Sequence, residues 1–404
     1  MLQFIHSADI HLDSPLVGLS SYEGLPLADI RHATRAALDN LVDLAIERAV
    51  DFVLIAGDLY DGDWRDASTG MFFVSRMSRL REHKIPVLLV RGNHDAESQI
   101  TKSLHLPENV HLFGSRKAAT YRLEHIGVAV HGQSYGGHHV ESNLAAGFPA
   151  ADKGCFNIGL LHTSLGGYAE HEPYAPCSLD DLCSKEYDYW ALGHIHSAVT
   201  PSTDPLVVFP GNIQGRSIRE TGQKGCYVVT VDNAGLVTSE FVPLDVLRWQ
   251  SLSIDMSGVC NTEDFDARVE KALRSIPDFK QRMQLVRVVV TGATTMHAHL
   301  IDRSDWKDDL RARATDLSRE NVWIEKIVVE TSAPHDTAPP PVPLPVIDFA
   351  PELFQPLLQK LPDEIRQEVR DWLNPAHPRY RQLRDEASAL LSARIGASEV
   401  SNAN

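Results

Sequence analysis

Five short stretches of the chain concentrate side chains that bind metals and move protons. They are Asp9 and His11 in "SADIHLD", Asp58 and Asp61 in "AGDLYD", Asn93, His94 and Asp95 in "RGNHD", His162 in "LLHTS", and His194 and His196 in "LGHIHS". Fifteen of the nineteen histidines fall in the first 200 residues, so the clustering is not a matter of composition alone. A mixture of Asp, His and Asn without Cys makes a hard-to-borderline donor set, suited to Mn²⁺, Fe²⁺ or Zn²⁺ rather than Ca²⁺. Asp9 and His11, and likewise His194 and His196, are spaced two apart, so each pair faces one side of an extended segment. That is enough ligand for two ions. Two ions roughly 3.5–4 Å apart clamp the attacking and leaving oxygens of a phosphoryl displacement and lower the pKa of a bound water to about 7.

Each stretch follows an apolar run. "LQFI", "FVLIAG", "IPVLLVRG", "FNIGLLH" and "YDYWALG" end at the five motifs, and "GVAVHG", "LVVFPG" and "GCYVVTVD" have the same character. Most are continuous rather than alternating, which suits strands covered on both faces. The helical patterns at 28–50 and 68–84 separate some of them. The first half therefore reads as a layered α/β domain ending near residue 245. Carboxyl ends of strands in such a sheet converge on one rim, where a site is expected.

Residues 246–333 read differently. Strand-like "WQSLSIDM", "RMQLVRVVVTG" and "NVWIEKIVVET" alternate with helix-like "NTEDFDARVEKALRSI" and "DRSDWKDDLRARATDLSRE", the order of a small α+β domain. Six prolines between 334 and 345 predict a stiff linker over 334–347. Amphipathic helices are expected over 348–396; they are too short to bury a core alone and are expected to dock on something.

The bulk numbers limit the function classes. A length of 404 residues suggests two or three domains. No apolar run reaches eighteen residues, so no membrane span is expected. The first residues lack the basic and apolar regions of a signal peptide. Five cysteines with no CxxC argue against a disulfide framework and fit a reducing cytoplasm. With 54 acidic against 38 basic residues the net charge is −16, which disfavours a broad basic face for nucleic acid. Bound cations reverse the field locally, so a nucleic-acid enzyme remains compatible. No GxxxxGK[ST] loop occurs, so any ATP-driven step belongs to a partner.

The series DxH, GDxxD, GNHD, a lone His and GHxH resembles the calcineurin-like metallophosphoesterases, with all five blocks in order over about 190 residues. The resemblance implies a four-layer αββα sandwich with a small α+β cap and a C-terminal helical tail. It implies that Asp9, His11, Asp58 and His196 hold one ion. Asp58 then bridges to a second, completed by Asn93, His162 and His194. His94 would contact the phosphate and assist the leaving oxygen, with Asp95 orienting it by a hydrogen bond. "FIHSADIHLDSPLVGL", "YDYWALGHIH" and "FPGNIQGRSIRETGQKGCYVVTVD" further resemble the DNA-repair exonuclease branch, which contains SbcD-like and YhaO-like nuclease subunits. That implies Mn²⁺-dependent cleavage of DNA, a cap that orients DNA ends, and C-terminal helices docked on an SMC-like coiled-coil ATPase. Some members of the family have His where this chain has Asp61, so Asp61 is expected to support the site from outside.

Other residues have plainer readings. His6 is expected to be structural, His131 to serve the core or rim, and His138 and His139 to be solvated in a Gly-rich loop. Arg216, Arg219 and Lys224 either hold a phosphate backbone or form a surface loop; Arg216 and Asp61 are the candidate substrate contacts. The apolar side of the 68–84 helix packs either on the sheet or in a homodimer. Trp372, Leu373, Leu390, Leu391 and Ile395 contact either a partner helix or the chain itself. Two rival functions stand beside a nuclease: a small-substrate phosphodiesterase or nucleotidase, and a non-enzymatic scaffold for DNA ends or an ATPase.

Overall fold

The structure, a computed structural model, describes residues 1–16, 32–61, 67–97, 105–166 and 175–334, with Ile30 and seven separate positions beyond residue 365. Most of the linker expected over 334–347 and nearly all of the 348–396 helices lie outside the described residues.

Two six-stranded sheets form the body. The first has β1 (Leu2–Ser7), β2 (Phe52–Ala56), β3 (Val87–Val90) and β4 (Val110–Leu112) side by side, with β11 (Gly225–Val231) and β12 (Val237–Pro243) beyond β1. The second runs β5 (Ala119–Leu123), β6 (Val128–Gln133), β7 (Phe156–His162), β8 (Tyr189–Gly193), β10 (Leu206–Phe209) and β9 (Val199–Thr203). Strands β1 to β4 are mutually parallel, as are β6, β7, β8 and β10, so carboxyl ends gather at one edge of each sheet. β11 returns antiparallel to β1. β2, β3 and β8 are buried at every position, as their unbroken apolar runs predict.

Packing defines four layers. Helices α1 (Ala33–Glu47) and α2 (Ala67–Glu82) cover the outer face of the first sheet: Leu38, Leu41, Phe73, Met77 and Leu80 lie against Ile5, Val53, Ile55 and Leu89. A short helix, α3 (Asn93–Glu97), follows β3. Phe4, Phe52, Leu54 and Val90 face Val130, Ile158, Leu160 and Tyr189 between the sheets. On the far side Leu182 of α4 (Leu179–Cys183), with Phe148 and Tyr187, covers Trp190, Leu192 and Phe209. This is the αββα sandwich. The α2 apolar residues are thereby shared out: Phe73 and Met77 pack inward, and the guanidinium of Arg76 lies 3.7 Å from the Phe72 ring centroid. Only Met71 of that group stays largely exposed.

After residue 245 come β13 (Leu247–Asp255), α5 (Thr262–Arg274), β14 (Met283–Ala293), α6 (His297–Asp302), α7 (Asp305–Ser318) and β15 (Val322–Ser332). Helix α6 has no counterpart in the sequence reading because it is only six residues long; the other five elements match it. The three strands form one sheet in the order β13-β14-β15. By internal contacts the chain divides into two compact units. One contains Met1–Ser253, Glu270–Val289 and Asp309–Val328; the other contains Ile254–Val269, Val290–Asp308 and the residues from Val329. The first unit carries both large sheets and every residue of the candidate site. Within the second, Phe265 meets Trp306 edge-on, 5.7 Å between centroids. Among the described residues, no helix is long and apolar enough to cross a membrane.

Candidate metal centre

The loops that leave β1 and β2 run side by side. The Asp9 and His11 amides donate to the Gly57 and Asp58 carbonyls, each at 3.0 Å. To hold that register Asp9, His11 and Asp58 adopt left-handed backbone angles, φ 49°, 44° and 50°, and His194 joins them at 106°. Non-glycine residues there cost of order 1–3 kcal/mol each and persist only where the surroundings fix them. Four of the seven expected ligands therefore sit on strained backbone.

Two glycines bring the sheet edges together. Gly57 has φ +92°, and a Cβ there would lie 2.5 Å from His162 Nδ1. A Cβ on Gly193 would collide with the Ala56 carbonyl. With both bare, His162 Nδ1 reaches the Ala56 carbonyl at 2.9 Å and the His194 amide donates to Asp9 at 3.0–3.1 Å.

All seven expected metal ligands meet at this edge. Asp9, His11 and His196 present donor atoms to a common point, and so do Asp9, Asp58 and His162. Asp58 Oδ2 lies between the groups, 4.0 Å from His11 Nε2 and 3.4 Å from His162 Nε2. Asn93 Oδ1 is 3.0 Å from His162 Nε2, and the His194 ring is 5.3 Å from the His162 ring.

The histidine tautomers test whether these residues suit cations. His11 Nδ1 donates to Asp61 at 2.5 Å, His196 Nδ1 to Glu220 at 2.8 Å, and His162 Nδ1 to the Ala56 carbonyl. A carboxylate or carbonyl only accepts, so each neutral ring carries its proton on Nδ1 and turns the Nε2 lone pair inward. Burial and the Arg216 guanidinium push the His11 pKa down against the pull of Asp61 and Asp58, which favours the neutral ring. Yet the Nε2 atoms of His11 and His196 are 3.3 Å apart. Two inward lone pairs at that distance repel unless a positive centre lies between them. The other side behaves alike: burial opposes charge on His162, but Asp58 outweighs it and carries the His162 pKa up to about 9. The residues fit two divalent ions: at one point the His11 and His196 nitrogens and Asp9 converge, and at the other the Asp58 and Asp9 carboxylates favour positive charge beside His162. Nδ1–H held by an outer acceptor is the usual support for a metal-bound histidine.

His94 lies at the mouth, its side chain 41% exposed and its ring 5.2 Å from that of His11. Its amide donates to Asp58 Oδ1 at 3.0 Å. Asp95 differs from expectation. Instead of backing His94, its buried carboxylate accepts from the Leu59, Tyr60 and Gly92 amides at 2.9–3.1 Å. The cause is local: both residues lie in α3, where successive side chains diverge by about 100°. Burial, then the Asp58 charge, push the Asp95 pKa up to about 7 despite those three donors. His94 Nδ1 instead comes within 4.0 Å of the Asp61 carboxylate.

Asp61 and Arg216, the candidate substrate contacts, are committed to bracing instead. Asp61 holds His11, in keeping with support from outside the site. Arg216 reaches Asp61 at 3.4 Å and Glu220 at 3.1 Å, so one guanidinium links the carboxylates behind His11 and His196. Burial would raise the Glu220 pKa, but His196 and Arg216 hold its carboxyl far below the usual range. Lys224 is buried, its Nζ donating to the His196 carbonyl at 2.7 Å, while Arg219 stays exposed. Glu220 is not singled out by the sequence; its one signal is membership of the "GRSIRETGQKG" block.

His6 is structural as expected: buried between the sheets, it bonds the Tyr189 hydroxyl at 2.9 Å and the Leu192 carbonyl at 3.2 Å. His131 serves the core, stacked on Tyr187 at 4.4 Å. His138 departs from its expected solvated role, because Nδ1 donates to the Asn93 carbonyl at 3.2 Å beside the site.

A family model described as calcineurin-like phosphoesterase matches residues 2–198, and one described as the middle domain of metallophosphoesterase YhaO matches residues 249–332. The Bacillus subtilis (strain 168) protein called uncharacterized metallophosphoesterase YhaO is 36% identical over 295 residues, 72% of either chain. Likenesses to solved structures are fainter. TT1561 of Thermus thermophilus has 13% identity and a TM-score of 0.34, covering 59% of this chain and 98% of that one. A dimetal phosphatase from Danio rerio has 12% and 0.34, covering 57% and 93%. On the family match and the YhaO likeness together, the chain belongs to the calcineurin-like metallophosphoesterases, a family of metal-dependent hydrolases.

Proposed function

We propose that the chain is a two-metal DNA phosphodiesterase, the exonuclease subunit of a DNA-repair assembly with an SMC-like ATPase. The carrying observation is the pair of donor groups that share Asp9 and meet at Asp58, with His94 open to solvent beside them. In this reading Asp9, His11, Asp58 and His196 hold one ion, and Asp58, Asn93, His162 and His194 the other. The bound ions supply Lewis-acid polarisation of the phosphate and a water of lowered pKa. The resemblance implies Mn²⁺, and the donor mix suits Fe²⁺ or Zn²⁺ equally. His94 contributes the proton held at the departing oxygen, and Asp61 and Glu220 keep the His11 and His196 rings turned inward. The "FPGNIQGRSIRETGQKGCYVVTVD" block, which resembles the DNA-repair exonuclease branch, supports DNA as substrate. The segment 348–396 is the proposed contact with the ATPase, and its deletion should abolish co-purification of the two.

The net charge of −16 favours a second reading, a phosphodiesterase for small substrates, because the chain supplies little basic surface of its own. One assay separates the two. End-labelled linear duplex DNA and cyclic nucleotides are offered to the full chain under a screen of divalent metals. Mn²⁺-dependent release of nucleotides from DNA is expected. Turnover confined to the cyclic nucleotides would overturn the nuclease reading.

A further inference from the structure

We infer that His138 is a positioning residue, which clamps the peptide group joining Asn93 to His94. That peptide carries the expected metal ligand on one side and the expected proton donor on the other. Its N–H donates to Asp58 Oδ1 at 3.0 Å, and its C=O accepts from His138 Nδ1 at 3.2 Å. The group is therefore held at both ends, by a carboxylate on the β2 loop and an imidazole on the loop after β6. Bonds in series polarise one another, so a donor on the carbonyl strengthens what the amide gives to Asp58.

The loop that delivers His138 is itself anchored to the same stretch. The Arg91 amide donates to Ser134 Oγ at 2.9 Å, and the Tyr135 amide donates to the Arg91 carbonyl at 3.0 Å. Farther along, the Val140 carbonyl accepts from the Ala175 amide at 2.6 Å. Tyr135 sets its ring edge-on to His162, 5.5 Å between centroids. The His138 ring stands 6.0 Å from the His94 ring at 72°. A sixth strand end thus reaches the site. It acts through the backbone of residues 93–94, and the rotation of that peptide sets where both side chains point.

The inference rests on the phosphodiester-hydrolysis reading but not on DNA as substrate. It is tested on the metal-loaded full chain with His138→Ala and His138→Asn. Asn keeps an N–H donor near the position of Nδ1; Ala has none. Two quantities are read: hydrolysis of bis(4-nitrophenyl) phosphate, and hydrogen exchange at the His94 amide. For His138→Ala, kcat is expected to fall and His94 exchange to quicken, each roughly three- to tenfold, the weight of one neutral hydrogen bond. KM is expected to hold, and His138→Asn to recover most of both effects. Equal defects in the two variants, or unchanged His94 protection in His138→Ala, would overturn the clamp. A wild-type chain that cleaves no phosphodiester with any metal sinks the functional reading instead, and the exchange experiment still decides the clamp.

Discussion

Replacing Glu220 by Gln separates metal tuning from loop structure. Glu220 Oε1 accepts from His196 Nδ1 at 2.8 Å, while Oε2 accepts from the Arg216 amide at 2.7 Å and from Asn212 Nδ2 at 2.9 Å. Gln has the same shape but only one acceptor oxygen. Turned toward His196, it sets its NH₂ against two donors; turned the other way, it sets NH₂ against His196 Nδ1–H. Each buried donor left without an acceptor costs about 1–3 kcal/mol, so the apo chain should lose stability on that scale. Loss of the charge behind His196 should weaken one ion by about 10–100-fold, the usual range for an outer partner of a metal-bound histidine. That corresponds to about 1.4–2.7 kcal/mol. Glu220 backs only His196, so the ion held by Asn93, His162 and His194 should bind as before. Calorimetric titration with Mn²⁺ resolves the two, and thermal denaturation of the apo chain gives the stability. Destabilisation with both affinities intact would show that Glu220 only holds its loop, and equal weakening of both ions would refute the division of ligands.

Three further outcomes follow from the same geometry. His94→Ala should cut phosphodiester hydrolysis by about 10²–10⁴-fold while keeping its metal content, because the ring is a proton donor and not a ligand; near-normal turnover would exclude that role. Burial lowers the His6 pKa to about 3 from 6.5, so the unfolded chain takes up a proton first as the pH drops. The stability tied to neutral His6 is complete above pH 6.5 and is lost progressively toward pH 3, about 2 kcal/mol by pH 5. His6→Gln should flatten that part of a pH–stability curve, and identical slopes would contradict the assignment. Gly193→Ala drives a methyl into the Ala56 carbonyl and within 2.9 Å of His162 Nδ1. It should cost about 1–3 kcal/mol in urea denaturation, and an unchanged midpoint would show that the sheet edges are not held so closely.

The ligands were legible in sequence because strand and site share one physical cause. An apolar run that stops at Asp58 or His162 marks both the end of a buried strand and the rim where parallel strands converge. The layered α/β character was legible for the same reason, since the runs of β2, β3 and β8 read as covered on both faces; the four-layer αββα order came from the family resemblance. What stayed hidden depends on loops meeting across the fold. Glu220 lies 24 residues from His196 and is brought to it by the turn after β10, which no local pattern specifies. His138 is 45 residues from the peptide it holds and looked like one polar residue in a Gly-rich loop. Asp95 was misplaced by adjacency: next to His94 in sequence, it is swung away by the step of about 100° between neighbouring helical residues. Arg216 drew attention through its charge, but the charge is spent on Asp61 and Glu220 rather than offered to a phosphate.

The claim on which everything else depends is that this edge holds two ions. Anomalous diffraction at the manganese edge, from crystals of the full chain soaked in Mn²⁺, tests it most directly. Two peaks about 3.5–4 Å apart are expected, one among Asp9, His11 and His196 and the other among Asn93, His162 and His194, with Asp58 between them. A single peak, or peaks away from these residues, would contradict it.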